Sequence, residues 1–416
     1  MTRVLALASL AVLVTAARQA GPAQGAPVTF NRDVAPILYA RCTECHRLGQ
    51  IAPMSLVTYD DARPWARSIR RMVVERRMPP WFADPHFGTF SNDATLGDRE
   101  IEVITAWVDG GAAQGDPSDR PALPNYAEGW RIGTPDLVLT VARPFDIPAS
   151  GILDYQYFDL PTGLTTDRWV QAVEIRPSNR RVLHHASVFI RTLDAAAAEP
   201  GPSSSGDRCA ADICGDVEGV PLGETLTITA VGTPPEVYPA ATGKLLRAGS
   251  TLRLQVHYTT IGEATTDRLS VGLMFARSTP QVALKTAPLG KTNFTIPPRT
   301  SNYVLTASLA FQKDATLWSI GPHNHLRGRS WQFDLIEPGG SMRTLLSVPR
   351  FDFHWQLVYR FVSPIAVARG GRLRATVVYD NSSLNPANPD PDAEVHYGEQ
   401  TKDEMMLAMV VYSTGS

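Results

Sequence analysis

The sequence is short of cysteine and histidine, carries almost no net charge, and has no long apolar run after its first residues. Each scarcity excludes something. Four cysteines in 416 residues are too few for a disulfide scaffold. A net charge of −2 offers no electrostatic footing for nucleic acid. Beyond the run from Val4 to Val14, nothing approaches the roughly 20 apolar residues of a membrane helix, so no integral membrane segment is expected. Residues 1–26 read as an export signal: Thr2-Arg3, the apolar run, then small residues, with cleavage near Ala16 or Ala17. The expected mature chain is periplasmic or secreted. Histidine numbers only nine, yet five of the nine fall in apolar, strand-like segments and a sixth in the motif CTECH. Scattered surface histidines would not distribute this way.

The apolar fraction of 44% is enough for real cores, and the length predicts two or three domains. Residues 27–118 read as helical. Val34, Ile37 and Leu38 share one face before the first cysteine pair, and Pro64 opens a second helix running to about Arg77. Ile101, Ile104 and Val108 define a third, ended by Gly110-Gly111. A Pro-, Gly- and Asp-rich linker follows, taken as 119–135. From there, short alternating segments separated by turn residues predict two antiparallel β-sandwiches, 136–288 and 289–416. The loop DNSSLNPANPDPD has the prolines of a surface loop and lacks the acidic end position of a calcium loop.

Cys42-Thr43-Glu44-Cys45-His46 is the pattern that attaches haem c through two thioethers and supplies His46 as an iron ligand. A redox cysteine pair is the alternative, and it needs no His46. The other iron ligand is sought among methionines, because a thioether raises the potential and suits electron transfer. Met78, before two prolines in RRMPPWF, leads; Met54 follows, and Met72 sits mid-helix. The region resembles a class I cytochrome c over about 90 residues, in its Met-Pro segment and its last helix. The arginines at 67, 70, 71, 76 and 77 suit a solvated face, or a face for propionates or a partner. Cys209 and Cys214 remain as one pair, suited to a disulfide.

Two further ligand sets lie in the strand-like half. His323 and His325 are i and i+2 on a strand, so both reach one ion. Adjacent His184 and His185 point to opposite faces of a regular strand; sharing a metal requires a twist or bulge there. Otherwise one is a ligand and the other a core residue. His257 lies in LRLQVHY and Met405 in DEMMLAMVVY. Imidazole suits copper or zinc, and a thioether favours Cu(I). His354 and His396 read as structural and His86 as exposed.

The four segments RVLHHASVF, LRLQVHY, PHNHLRG and DEMMLAMVVY, in that order, resemble the copper type II ascorbate-dependent monooxygenases. Peptidylglycine α-hydroxylating and dopamine β-monooxygenases are members of that family. The likeness covers residues 136–416. It implies two jelly-roll-like domains with one copper each. His184, His185 and His257 would hold the electron-storing copper; His323, His325 and Met405 would hold the copper where oxygen reacts. The expected fold is therefore multidomain: a small all-α cytochrome c-like domain followed by two all-β jelly-roll-like sandwich domains. The expected activity is hydroxylation of a small organic substrate by O2, with one covalent haem, two coppers and an external electron donor. Gly321 stands where peptide-hydroxylating members have an arginine, and Leu407 and Met409 replace an asparagine and a tyrosine, so a peptide substrate is not implied. The rival readings are an electron-transfer protein without oxygenation and a copper-binding sensory module.

Overall fold

Alternation of apolar and polar residues at period two builds most of this chain. In the strand Tyr303–Phe311, Leu305, Ala307, Leu309 and Phe311 are buried, while Val304 and Thr306 between them are exposed. The computed structural model describes residues 27–126, 129–191, 208–210, 213–215, 224–230 and 232–415, with 208–210 and 213–215 described by backbone alone. The expected signal segment, 1–26, lies outside the described residues. Among the described residues, no helix is long and apolar enough to cross a membrane.

The first sandwich packs two sheets face to face. One contains Leu137–Thr140, Ser270–Phe275, Arg168–Arg176 and Thr242–Leu246; the other contains Gln156–Pro161, Thr251–Tyr258, Leu183–Arg191 and Glu224–Ala230. Val170, Val188, Leu254 and Val256 are fully buried in its core. The second sandwich sets Lys285–Lys291, Met406–Thr414, Ala315–His323 and Tyr359–Val367 against a sheet that includes Met342–Val348, Gly328–Ile336, Arg372–Tyr379 and Tyr303–Phe311. Its first strand begins at Lys285, slightly before the expected break after residue 288, because Lys285–Lys291 pairs with Met406–Thr414. That pairing is close: a Cβ at Gly290 would overlap the Met406 carbonyl oxygen, so only glycine fits.

Two features join the sandwiches. The strands Arg208–Ala210 and Ile213–Gly215 fall between first-sandwich strands in sequence yet extend a sheet of the second, with Ala310 opposite Cys214. Cys209 stands opposite Cys214 in that pair, but the side chains of the expected disulfide lie outside the described residues. At the seam, Phe189 of the first sandwich packs on Leu407 and Met409 of the second. Leu407 and Met409, two of the three positions noted as departing from the resembled pattern, therefore fill an apolar interface.

The freestanding all-α cytochrome c-like domain is not what the structure shows. The described chain is mainly strand, and its α-helices span only 7, 4, 9 and 12 residues. Leu38 is buried on the first, and Ile104 and Trp107 on the last, so the apolar spacing does make helices. Between them, however, the chain runs out across the second sandwich. The amide of Asp84 donates to the Ser347 carbonyl at 2.8 Å, and that of Ser91 to the Arg360 carbonyl at 2.8 Å. Phe82 and Phe90 are buried in the second sandwich's core, Phe90 with its ring 5.4 Å from that of Phe361. The segment lacks a 3.6-residue apolar repeat, and its aromatics find burial on a β-core instead of among helices.

Candidate metal centre

The strands Leu183–Arg191 and Thr251–Tyr258 bring three of the predicted histidines together. His257 pairs with His185, but the next pair is Tyr258 with Leu183, so His184 is the extra residue of a bulge. This irregularity turns adjacent imidazoles towards one point. The ligand nitrogens of His184, His185 and His257 all lie within 4.8 Å of one another. The Nδ1 atoms of His184 and His185 are 3.0 Å apart.

His323 ends the strand Ala315–His323, opposite Leu407, and His325 follows two residues later with its ring 5.3 Å from that of His323. The peptide N–H groups of His325 and Arg327 donate to the Glu404 carboxylate at 2.9 and 2.6 Å. His325 Nδ1 meets the Asp403 carbonyl at 3.1 Å, which leaves Nε2 for a ligand. The acidic pair before Met405 thus clamps the His-x-His turn beside it. Met405 is 3% exposed, and its carbonyl accepts a 2.7 Å bond from the Tyr379 hydroxyl. It stands immediately before the strand Met406–Thr414, and its backbone amide donates to the Glu404 carboxylate at 3.3 Å.

The first sandwich supplies His184, His185 and His257, and the second supplies His323 and His325. The seam places them face to face, with the rings of His185 and His323 only 5.8 Å apart. Residues without a sequence signal complete the arrangement. The Tyr155 hydroxyl shares a 2.8 Å hydrogen bond with His185 Nε2. The Gln356 side-chain oxygen is hydrogen-bonded to His323 Nδ1, and Thr401 Oγ1 lies 3.3 Å from His257 Nε2. Phe353 sets its ring 4.9 Å from His184, 5.9 Å from His257 and 6.0 Å from His325. None of these stands within a histidine motif in sequence. His354, read as structural, is exposed and has its ring 5.7 Å from that of His184. His396 is also exposed and bonds Thr295, and His86 bonds Asp84 at 2.6 Å on the surface.

Burial dominates the electrostatics. It drives His184 down to about 3, helped by the neighbouring His257, and drives His257 and His323 to about 4. His185 and His325 fall well below the usual imidazole range for the same reason. All five rings are therefore neutral at pH 7, the form that binds metal. Three of their nitrogens, His184 Nε2, His257 Nδ1 and His325 Nε2, are buried without a hydrogen-bond partner. Such orphans cost about 1–3 kcal/mol each unless something binds them. The buried, neutral imidazoles of His184, His185 and His257 fit a transition-metal ion such as copper or zinc.

The CTECH residues follow the helix Ala35–Arg41. His46 Nδ1 lies 3.3 Å from the Met54 carbonyl, which orients the ring and leaves Nε2 free. The Met54 side chain packs on the helical core. Met78 instead lines, with Cys42, Cys45, His46 and Trp355, a cavity of about 390 Å³. Met72 lies on the helix Ala66–Val74 and does not line this cavity. Burial pushes the Cys42 thiol up to about 12 and raises Cys45, so neither is a reactive thiolate. Two thiols, an imidazole and a thioether thus line one cavity, a donor set that would suit a covalently held haem. Of the basic helix and its end, Arg70 pairs with Asp109, Arg76 with Asp98 and Arg77 with Glu75.

No family model matches the chain, and no curated protein matches it. Among solved structures, an allantoicase aligns over 64% of this chain and 80% of its own, at 10% identity and a TM-score of 0.18. The infectious bursal disease virus VP2 subviral particle aligns over 67% of this chain and 76% of its own, at 9% identity and a TM-score of 0.18. Likenesses this low carry no argument about fold or function.

Proposed function

We propose that this chain is an exported haem–copper monooxygenase that hydroxylates a small organic substrate with O2. One observation carries the reading: five histidines from three segments far apart in sequence converge on one buried seam, with three ring nitrogens left unpartnered. His184, His185 and His257 would hold one copper, and His323, His325 and Met405 the other. Cys42 and Cys45 would anchor a haem, and His46 and Met78 would supply the donor atoms for its iron. Bound copper would supply one-electron exchange and the activation of O2, and bound haem would supply electrons from an external donor. The chain's own part is preorganisation. Tyr155, Gln356 and the Asp403 carbonyl fix imidazole orientation, Glu404 ties Met405 to the His-x-His turn, and Phe353 excludes water from between the rings.

Gly321 supports the absence of a carboxylate-binding arginine. A Cβ there would stand 3.2 Å from the Val358 side chain, so a larger residue would require Val358 to shift. The depth of the centre favours a second reading, an electron-transfer protein without oxygenation, because His325 is wholly buried and Met405 nearly so. Metal and haem analysis of the exported protein, combined with O2-uptake screening, separates them. One covalent haem, two coppers and substrate-coupled O2 uptake lost in His325→Ala are expected. A single copper bound by all five imidazoles, or full loading with no uptake on any substrate class, would refute the monooxygenase reading.

A further inference from the structure

The loop Phe353-His354-Trp355-Gln356 touches both proposed cofactor sites. Trp355 lines the cavity that Cys42, Cys45, His46 and Met78 share. Two residues earlier, Phe353 lies against His184, His257 and His325. One residue later, Gln356 holds His323 through its side-chain oxygen and donates from its amide nitrogen to the Phe353 carbonyl at 3.2 Å. The loop is also tied internally: the amide of Trp355 donates to the Asp352 carbonyl at 2.9 Å and that of Leu357 to the Trp355 carbonyl at 3.0 Å. Gly232 packs on the indole, where a Cβ would sit 3.4 Å from the Trp355 ring. The two sites are near neighbours by a second measure, since Cys45 and His184 both line one small cavity of about 140 Å³.

We propose that this loop is the electron conduit between the haem cavity and the three-histidine centre. Trp355 is the entry on the cavity side, and Phe353 the contact on the imidazole side. Electron transfer weakens steeply across empty space and less across bonded and packed atoms. A short backbone path between two aromatic rings, each packed on one site, is the continuous route. A haem held by Cys42, Cys45 and His46 would supply one electron, and a copper held by His184, His185 and His257 would accept it, so the exchange balances one for one. No atom or proton is transferred. The inference rests on the haem–copper reading above.

The test uses the exported holoprotein with oxidised copper, without O2. A photoexcited one-electron reductant reduces the haem in a flash, and the decay of its ferrous absorption is followed. Wild type should show a first-order phase that is independent of protein concentration and absent after copper removal. Trp355→Leu should slow that phase by an order of magnitude or more beyond what any measured change in haem potential or copper content accounts for, and Trp355→Phe should restore most of it. Phe353→Leu, which keeps the cavity wall intact, should slow it as well, and serves if Trp355→Leu does not fold. A copper-dependent phase that keeps its wild-type rate in both leucine variants would overturn the conduit while leaving the haem–copper reading in place. If wild type shows no copper-dependent phase, that reading itself fails, and the conduit with it.

Discussion

Lowering the pH from 7 to 5 should destabilise the metal-free protein sharply, and the buried imidazoles set the size of the effect. In the unfolded chain a histidine titrates near 6.5, so at pH 5 it is almost fully protonated. In the folded chain His184 is depressed to about 3 and His257 and His323 to about 4, so they remain neutral there. The unfolded state therefore binds more protons, and stability present above 6.5 is lost as the pH falls below it, down to the folded values near 3–4. Proton linkage between pH 7 and 5 gives about 2 kcal/mol for each ring and about 6 kcal/mol for the three. His185 and His325 shift in the same direction and add to it, whereas Glu404, raised to about 7 by burial, takes up a proton in the folded state and offsets about one ring's share. A loss of that size is comparable with a whole domain's stability of about 5–15 kcal/mol. Denaturant unfolding of the copper-free protein, followed by tryptophan fluorescence at both pH values, measures it. Replacing one ring, as in His257→Gln, should remove about 2 kcal/mol of the pH dependence. Copper binds the folded state and should move the acid transition to lower pH. An unfolding midpoint that is the same at pH 7 and pH 5 in metal-free protein would show that the rings are not held neutral by burial.

Met405→Ala should remove a copper–sulfur contribution from the X-ray absorption of the reduced protein while leaving the three-histidine copper bound; a persisting sulfur signal would exclude Met405 as a ligand. Tyr155→Phe removes the hydroxyl that orients His185, and Gln356→Ala the group that orients His323. Each should weaken one copper by about 10–100-fold in a competition assay, as loss of an outer hydrogen bond to a ligand usually does. Met78→Ala should abolish the weak sulfur-to-iron absorption band, whereas Met54→Ala should keep it, because it is the Met54 backbone carbonyl that meets His46. The reverse pattern would move the iron ligand to Met54.

Much of the centre was legible in the residues themselves, because ligand chemistry is local. The imidazole donors, and the i, i+2 spacing that sets the rings of His323 and His325 5.3 Å apart, are read from side-chain type and strand period. The helical faces around Leu38 and Ile104 were equally readable from apolar spacing. Tertiary structure decided the rest. Whether His184 and His185 could share an ion depended on a bulge that exists only through pairing with Thr251–Tyr258. The meeting of the two ligand sets depended on Phe189 packing against Leu407 and Met409, from the far end of the chain. Tyr155, Phe353, Gln356 and Glu404 reach the histidines from segments whose own patterns describe only strands and loops. The all-α domain failed for a related reason. Helix spacing in short segments does not say where the intervening aromatics are buried, and Phe82 and Phe90 find their burial on a sandwich whose first strand begins only at Lys285. Local sequence sets which atoms can bind and which backbone period each segment prefers; only the packing of distant segments determines which of those atoms meet.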